Sequence, residues 1–379
     1  LVAAFGGAGV GEAGMNTADM SLHEVLSRLQ AENLVGPDAT AGNHLDILTT
    51  QQPWYIRAMV GLGAWLASLL LIGFVASFSL VMDGGYAIVG TVLIIGAILV
   101  RRRSDNDFLV QCALACSLAG QALCAYGVAE ALGHDHHEIF LGLALAMSVL
   151  LFFVYPDRIH RVIMVCLASG SLTGLLYAWE WNALIPVLGP LFAGALVLLQ
   201  RNRPHLIAGP YAALSRPLTS GLMLSAFGVL LISTVYVLPE LGVETLLYPR
   251  PWISTILFGA LLLYAATPMV RSLAHPRHAT AGATLYGLMT LIFACSWAAP
   301  GLLLGLIVTI LGAAHSNRTY IGAGLVFGVI FLATFFYGIE LSMPAKSLTL
   351  VSAGTVLLVS RWIILRLVQA PDQQETHHV

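Results

Sequence analysis

Two short segments carry the first candidate chemistry: YAWE, with Tyr177 and Glu180, and YGIE, with Tyr337 and Glu340. In each, the tyrosine and the carboxylate are three residues apart and would share one helix face. Carboxylates near a membrane boundary can bind a cation or take up protons. The plainer alternative is an interfacial belt of Tyr177, Trp179 and Trp181 with the glutamates in water, Glu340 pairing with Lys346. Gln121, with Gln111 and Glu130, lies on the run 108–132, where a mid-depth amide must be buried and hydrogen-bonded. It would either join helices or line a cavity. Tyr126 and Glu130 repeat the aromatic–acid pairing four residues apart. Pro186 and Pro190 in LIPVLGPLFAG each remove a backbone donor. They would kink a span or break it into the discontinuous helix that often builds a transport site. The stretch His134, Asp135, His136, His137, Glu138 has the ligand types of a zinc or nickel site. A loop so short cannot enclose a metal unaided, so a solvated loop is the simpler expectation, as it is for His377 and His378.

The elements that must hold these residues are apolar helices. The chain has 379 residues, 58% hydrophobic and 9% charged, against roughly 25% charged in soluble domains. That points to lipid as the solvent. About twelve runs approach the ~20 residues that cross a bilayer: 58–81, 84–100, 108–132, 138–155, 162–179, 183–200, 219–238, 252–270, 281–298, 300–314, 319–339 and 347–368. The expected fold is therefore an all-α polytopic bundle. Of the 17 basic residues, all but Arg250 and Lys346 fall in the N-terminal segment, the even-numbered loops or the C-terminal end. Basic residues mark the cytoplasmic side, so both termini are expected there. The intervening loops carry Asp83, Asp135, Glu138, Glu180, Glu240, Glu244 and Glu340. The net charge of −2 gives no footprint for nucleic acid. The five cysteines, Cys112, Cys116, Cys124, Cys166 and Cys295, all lie in apolar runs, where no disulfide is expected.

Residues 1–52 form a cytoplasmic segment. Residues 1–14 are rich in Gly and Ala and lack the basic start of a signal peptide, and Met15 or Met20 is a candidate beginning. Ser21 and Glu24 have capping-box spacing before an amphipathic helix over 21–35, which Gly36-Pro37 stops. Sliding the chain by 160 residues lays Tyr177, Glu180, Gly194 and Arg201 on Tyr337, Glu340, Gly354 and Arg361, and Arg158 on Arg318. This predicts two six-helix halves in the same orientation, 53–200 and 219–368. A cytoplasmic linker at 201–218 would join them, and a tail at 369–379 would follow. No P-loop, Rossmann fingerprint, HExxH or GxSxG is present, so no cofactor and no catalytic residue is assigned.

Three segments resemble a bacterial family described as domain of unknown function 4401: PWYIRAMVGLGAWLA (53–67), SLAGQALCAYG (117–127) and FFYGIELSMPAKSLTLVSAGTVLLVSRW (335–362). In the last, Tyr337, Glu340, Lys346, Ser347, Gly354 and Arg361 carry the likeness. The resemblance implies a bacterial inner-membrane protein of unassigned activity. It also implies a small membrane protein with a GDYXXLXY motif as partner. The histidine-rich loop is not part of the pattern. The leading expectation for function is a transporter or permease, from parallel repeats, mid-membrane polar residues and short outer loops. A scaffold for the small partner is the alternative, since faces rich in Gly, Ala and Ser pack closely. A lipid-active enzyme is a further alternative, and the short outer loops argue against it.

Overall fold

A computed structural model describes residues 61–70, 85–104, 106–133, 137–209, 212–234, 251–273 and 299–338, with isolated positions from 59 to 358. The chain divides into two compact units, Leu1–Ala64 and Trp65–Val379. In the first, Met59 and residues 61–64 are helical, and the expected helix at 21–35 lies outside the described residues. Among its described residues the second unit has no strand and, besides the helical residues 65–70 and the 3-10 turn Asn182–Leu184, holds ten α-helices. They are α1 (Tyr86–Arg103), α2 (Asp107–Leu132), α3 (His137–Val154), α4 (Arg158–Ala178), α5 (Ile185–Arg201), α6 (Arg203–Ala208), α7 (Ala212–Thr234), α8 (Pro251–Leu273), α9 (Pro300–Ala314) and α10 (Arg318–Gly338).

Polar residues at the breaks start these helices. Asn106 accepts from the Phe108 amide before α2, Asp157 from the His160 amide before α4, and Asn317 from the Thr319 amide before α10. Each supplies an acceptor to an otherwise orphaned first-turn donor. Short breaks fold α1 back on α2, α3 on α4 and α9 on α10 as helical hairpins. Among the described residues, five segments are long and apolar enough to cross a membrane: Asp107–Leu132, His137–Val154, Arg158–Ala178, Asn182–Arg201 and Ala212–Ile232. Gly61–Leu70, Trp252–Pro268, Pro300–Ala314 and Arg318–Ala333 are shorter apolar helices. α1 ends in Arg101, Arg102 and Arg103, which shortens its apolar part. The expected runs 58–81, 281–298 and 347–368 are described only in part or at scattered positions.

Glycine sets the closeness of two hairpins. A Cβ on Gly90 of α1 would lie 2.5 Å from both the Cys124 nitrogen and the Gly120 oxygen of α2. One on Gly324 of α10 would lie 2.6 Å from the Gly305 oxygen of α9. These helices touch backbone to backbone, as small residues allow. The main core gathers α5, α7, α8, α9 and α10 around Phe258, Leu262, Leu304, Ile307 and Phe331, with Phe227 stacked on Phe327 at 4.0 Å. A smaller core joins Ile94, Leu151, Phe152 and Met164. Ser169 of α4 donates to Ser225 of α7 at 2.8 Å. Outward faces are apolar too: Leu150 is 62% and Val329 68% exposed.

Most of the described residues of the expected linker at 201–218 are helical. α6 follows a turn at Asn202, and α7 begins at Ala212 rather than at 219. Pro217 falls inside α7 and is buried, so its ring is carried as a packing group at the cost of one backbone bond.

Candidate functional site

Arginines from α4, α6 and α7 meet polar residues from α5 and α10 in one cleft. Asp157 caps α4 and places Arg158 in its first turn, Asn202 turns the chain so that Arg203 opens α6, and Arg216 lies early on α7. With Gln200 near the end of α5 and Asn317 and Tyr320 at the start of α10, they line a cavity of about 230 Å³. Gln200, Thr219 and Tyr320 are buried and Arg158 and Arg216 exposed, so the cleft has a polar floor and a cationic rim. No aspartate or glutamate lines it. Other arginines nearby are engaged. Arg101 pairs with Asp157 at 3.5 Å, Arg161 donates to the Phe152 carbonyl at 3.1 Å, and Arg201 donates to Thr267 at 3.2 Å while lying over the Tyr264 ring. Among the described residues, Arg158, Arg203 and Arg216 have no carboxylate partner. Three guanidinium groups around a polar floor can bind an anion by charge-assisted hydrogen bonds.

Beside the cleft lies an apolar groove of about 390 Å³ between α3, α4, α6 and α7. Phe152, Phe153, Met164, Val165, Leu214 and Leu218 line it. Leu199, Leu206 and Ser215 border both cavities.

A buried polar node sits where α2, α3 and α4 meet. The His160 ring stacks on Tyr155 at 3.9 Å, and its Nε2 lies 2.9 Å from the Ser117 hydroxyl. Both rings are 0% exposed. His160 Nδ1 and the Tyr155 hydroxyl have no partner among the described residues. Tyr155 belongs to the connection after α3. Burial, and then the charge of Asp157, pushes its phenol up to about 12. The node packs the first turn of α4 against α2 and the connection after α3.

The expected site residues do not form one constellation. Tyr177 is exposed and lines a separate groove of about 340 Å³ with Ser169, Thr173 and Ser225. Glu180 does not share a helix face with it, because α4 ends at Ala178 and Glu180 takes a positive φ of 59°. The Glu180 amide bonds the Tyr177 carbonyl and the Trp181 amide bonds the Leu176 carbonyl, at 3.0 and 2.8 Å. That is a Schellman ending with glutamate in glycine's usual place. Pro186 does not interrupt a helix either. It stands in the first turn of α5, where its fixed φ is preorganised, and its carbonyl accepts from Ser254. Pro190 is the proline inside α5. Gln121 is buried and donates at 3.3 Å to the Ser117 carbonyl of its own helix rather than to another. Glu130 is half-buried near Tyr86, which meets Tyr126 edge to face at 5.5 Å. His137 opens α3. Glu340, His134 and His136, and the Tyr337 side chain, lie outside the described residues. Among the described residues, no group of His, Cys, Asp and Glu is placed to hold a metal.

The cleft arginines and the node escaped the sequence reading. There Arg203 and Arg216 carried weight only as markers of one membrane side, and Arg158 only as such a marker and as a match to Arg318 in the repeat. Their convergence depends on which helix ends become neighbours. The run YPDRIHR (155–161) does hold a usable signal: a capping Pro-Asp followed by a lone histidine entering an apolar helix. A family model described as "Domain of unknown function (DUF4401)" matches residues 53–367. No curated protein and no solved structure matches the chain.

Proposed function

Starting from a chain that belongs to the DUF4401 family, we propose an integral membrane protein of the bacterial inner membrane, permease-like in architecture, whose arginine cleft faces the cytoplasm and receives an anion. The observation that carries this reading is the convergence of Arg158, Arg203 and Arg216 on a polar floor with no acidic residue in the lining. Apolar outward faces on α3 and α10 favour lipid around the bundle. The alternation of basic and acidic loops favours both termini inside. The internal repeat belongs to the same reading. α4 and α10, Arg158–Ala178 and Arg318–Gly338, are each 21 residues long and begin and end at the same offset, and each pairs with the helix before it. About twelve spans in two six-helix halves would follow.

Proteoliposome uptake of labelled phosphate, sulfate and small carboxylates tests the permease reading. Uptake above empty liposomes, falling when the three arginines become glutamine, is the expected result. No uptake of any anion by protein that is folded and correctly inserted would overturn it. Periplasm-only reporters should be silent at the C-terminus and active when fused near 135 or 245; a signal at the C-terminus would reverse the cleft's side.

The scaffold reading draws on a different observation. The groove beside Tyr177 is open along Gly170 and Gly228, where a Cβ would meet nothing within 4 Å. A single helix of the small GDYXXLXY protein would fit so shallow a face. Cysteine pairs placed at Gly170 and along that partner helix should crosslink; none doing so would remove this reading.

A further inference from the structure

We infer that the ligand of the arginine cleft is an anionic phospholipid, its net-negative phosphate headgroup held by Arg158, Arg203 and Arg216 and one acyl chain laid in the apolar groove beside it. The inference rests on the reading of the cleft as an anion site and adds the substrate class. The two cavities differ in chemistry and share a border. The cleft is polar with three cationic side chains, and the groove is walled by Phe152, Phe153, Met164, Val165, Leu214 and Leu218. Leu199, Leu206 and Ser215 touch both, so a molecule with an anionic head and an aliphatic tail spans them without crossing a wall.

A small hydrophilic anion would need only the cleft and would leave the larger cavity, about 390 Å³ against about 230 Å³, without a role. A neutral apolar ligand would need only the groove. Guanidinium suits the phosphate oxygens, because its planar fork gives paired, charge-assisted bonds. Water is an unfavourable occupant of a groove lined by ten apolar residues against two serines, Ser148 and Ser215. α6, the short helix carrying Arg203 and Leu206, contributes one residue to the head site and one to the shared border. Head and tail binding are therefore coupled through it.

The phosphate could come from a lipid or from solution, and the experiment separates these. Full-length protein in detergent is titrated with fluorescent phosphatidic acid, with phosphatidylcholine, and with inorganic phosphate as competitor. The wild type should bind phosphatidic acid at least on the order of tenfold more tightly than phosphatidylcholine. Inorganic phosphate should displace it only weakly. Arg158→Gln/Arg203→Gln/Arg216→Gln should abolish the preference, whereas Arg102→Gln/Arg103→Gln, which removes exposed charge from the end of α1, should keep it. Ala168→Phe, which fills the groove from α4, should weaken phosphatidic acid binding several-fold and leave phosphate binding unchanged. If phosphate competes at full strength and Ala168→Phe changes nothing, the ligand is a free anion; the lipid inference falls and the anion cleft stands. If the cleft and α1 variants behave alike, both readings fall. Should the triple variant not fold, Arg203→Gln alone and the wild-type comparison of the three ligands still decide between these outcomes.

Discussion

Gly90→Ala, set against Gly96→Ala on the same helix, gives a direct measure of what holds the α1–α2 hairpin. A Cβ at Gly90 would stand 2.5 Å from two backbone atoms of α2 and 3.0 Å from a third. Ordinary contact begins near 3.4 Å, so the helices must part by about 1 Å at that point, since backbone cannot turn aside as a side chain can. A gap of that size forfeits about a quarter to a half of each local dispersion contact, worth ~0.1–0.2 kcal/mol per atom pair. Over a few tens of pairs the loss is roughly 1–3 kcal/mol, the usual range for overpacking. Alanine returns about 0.5–1 kcal/mol through helix propensity. At Gly96 a Cβ meets nothing within 4 Å, so only that gain applies. The two variants should differ by about 2 kcal/mol, about thirtyfold in the unfolding constant. SDS titration in mixed micelles followed by far-UV circular dichroism reads this difference. Equal curves for Gly90→Ala and Gly96→Ala would refute backbone contact as the basis of the hairpin.

Glu180 and Ser316 both hold a positive φ at helix ends, 59° and 51°, so Glu180→Gly and Ser316→Gly should each stabilise by about 0.5–1 kcal/mol; a loss in the same SDS titration would mean that the side chain matters more than the strain. Tyr155→Phe keeps the stack on His160 and deletes a buried hydroxyl with no partner among the described residues, so stability should hold or rise by up to about 1 kcal/mol. Tyr155→Ala should cost about 3–5 kcal/mol. Because the folded Tyr155 phenol sits near 12 and the unfolded one near 10, its contribution is intact below about 10 and lost as pH rises through about 12. Phenolate absorbance at high pH should therefore lose a late-titrating component in Tyr155→Phe; an unchanged late titration in that variant would place the raised phenol elsewhere.

Much of the fold was legible in residue order because the relevant forces act locally. Apolar length marks a helix wherever it falls, and α2, α9 and α10 lie within a residue or two of the runs 108–132, 300–314 and 319–339. Asp157 and Asn317 announce helix starts, since a cap needs only its own first turn. Other features required geometry. Tyr177 and Glu180 have helical spacing, yet a single left-handed residue takes Glu180 off the helix, and nothing in Tyr-x-x-Glu reveals that turn. Pro186 and Pro190 are the same residue type, but position within the first turn makes one a start and leaves the other inside α5. Gln121 donates to the Ser117 carbonyl of its own helix, a partner that its residue type alone does not select. The family and the apolar helices were thus written in the sequence itself. The cleft of Arg158, Arg203 and Arg216 and the Ser117–His160–Tyr155 node were decided only by tertiary packing, because they join residues that no periodicity links and that meet only when helix ends become neighbours.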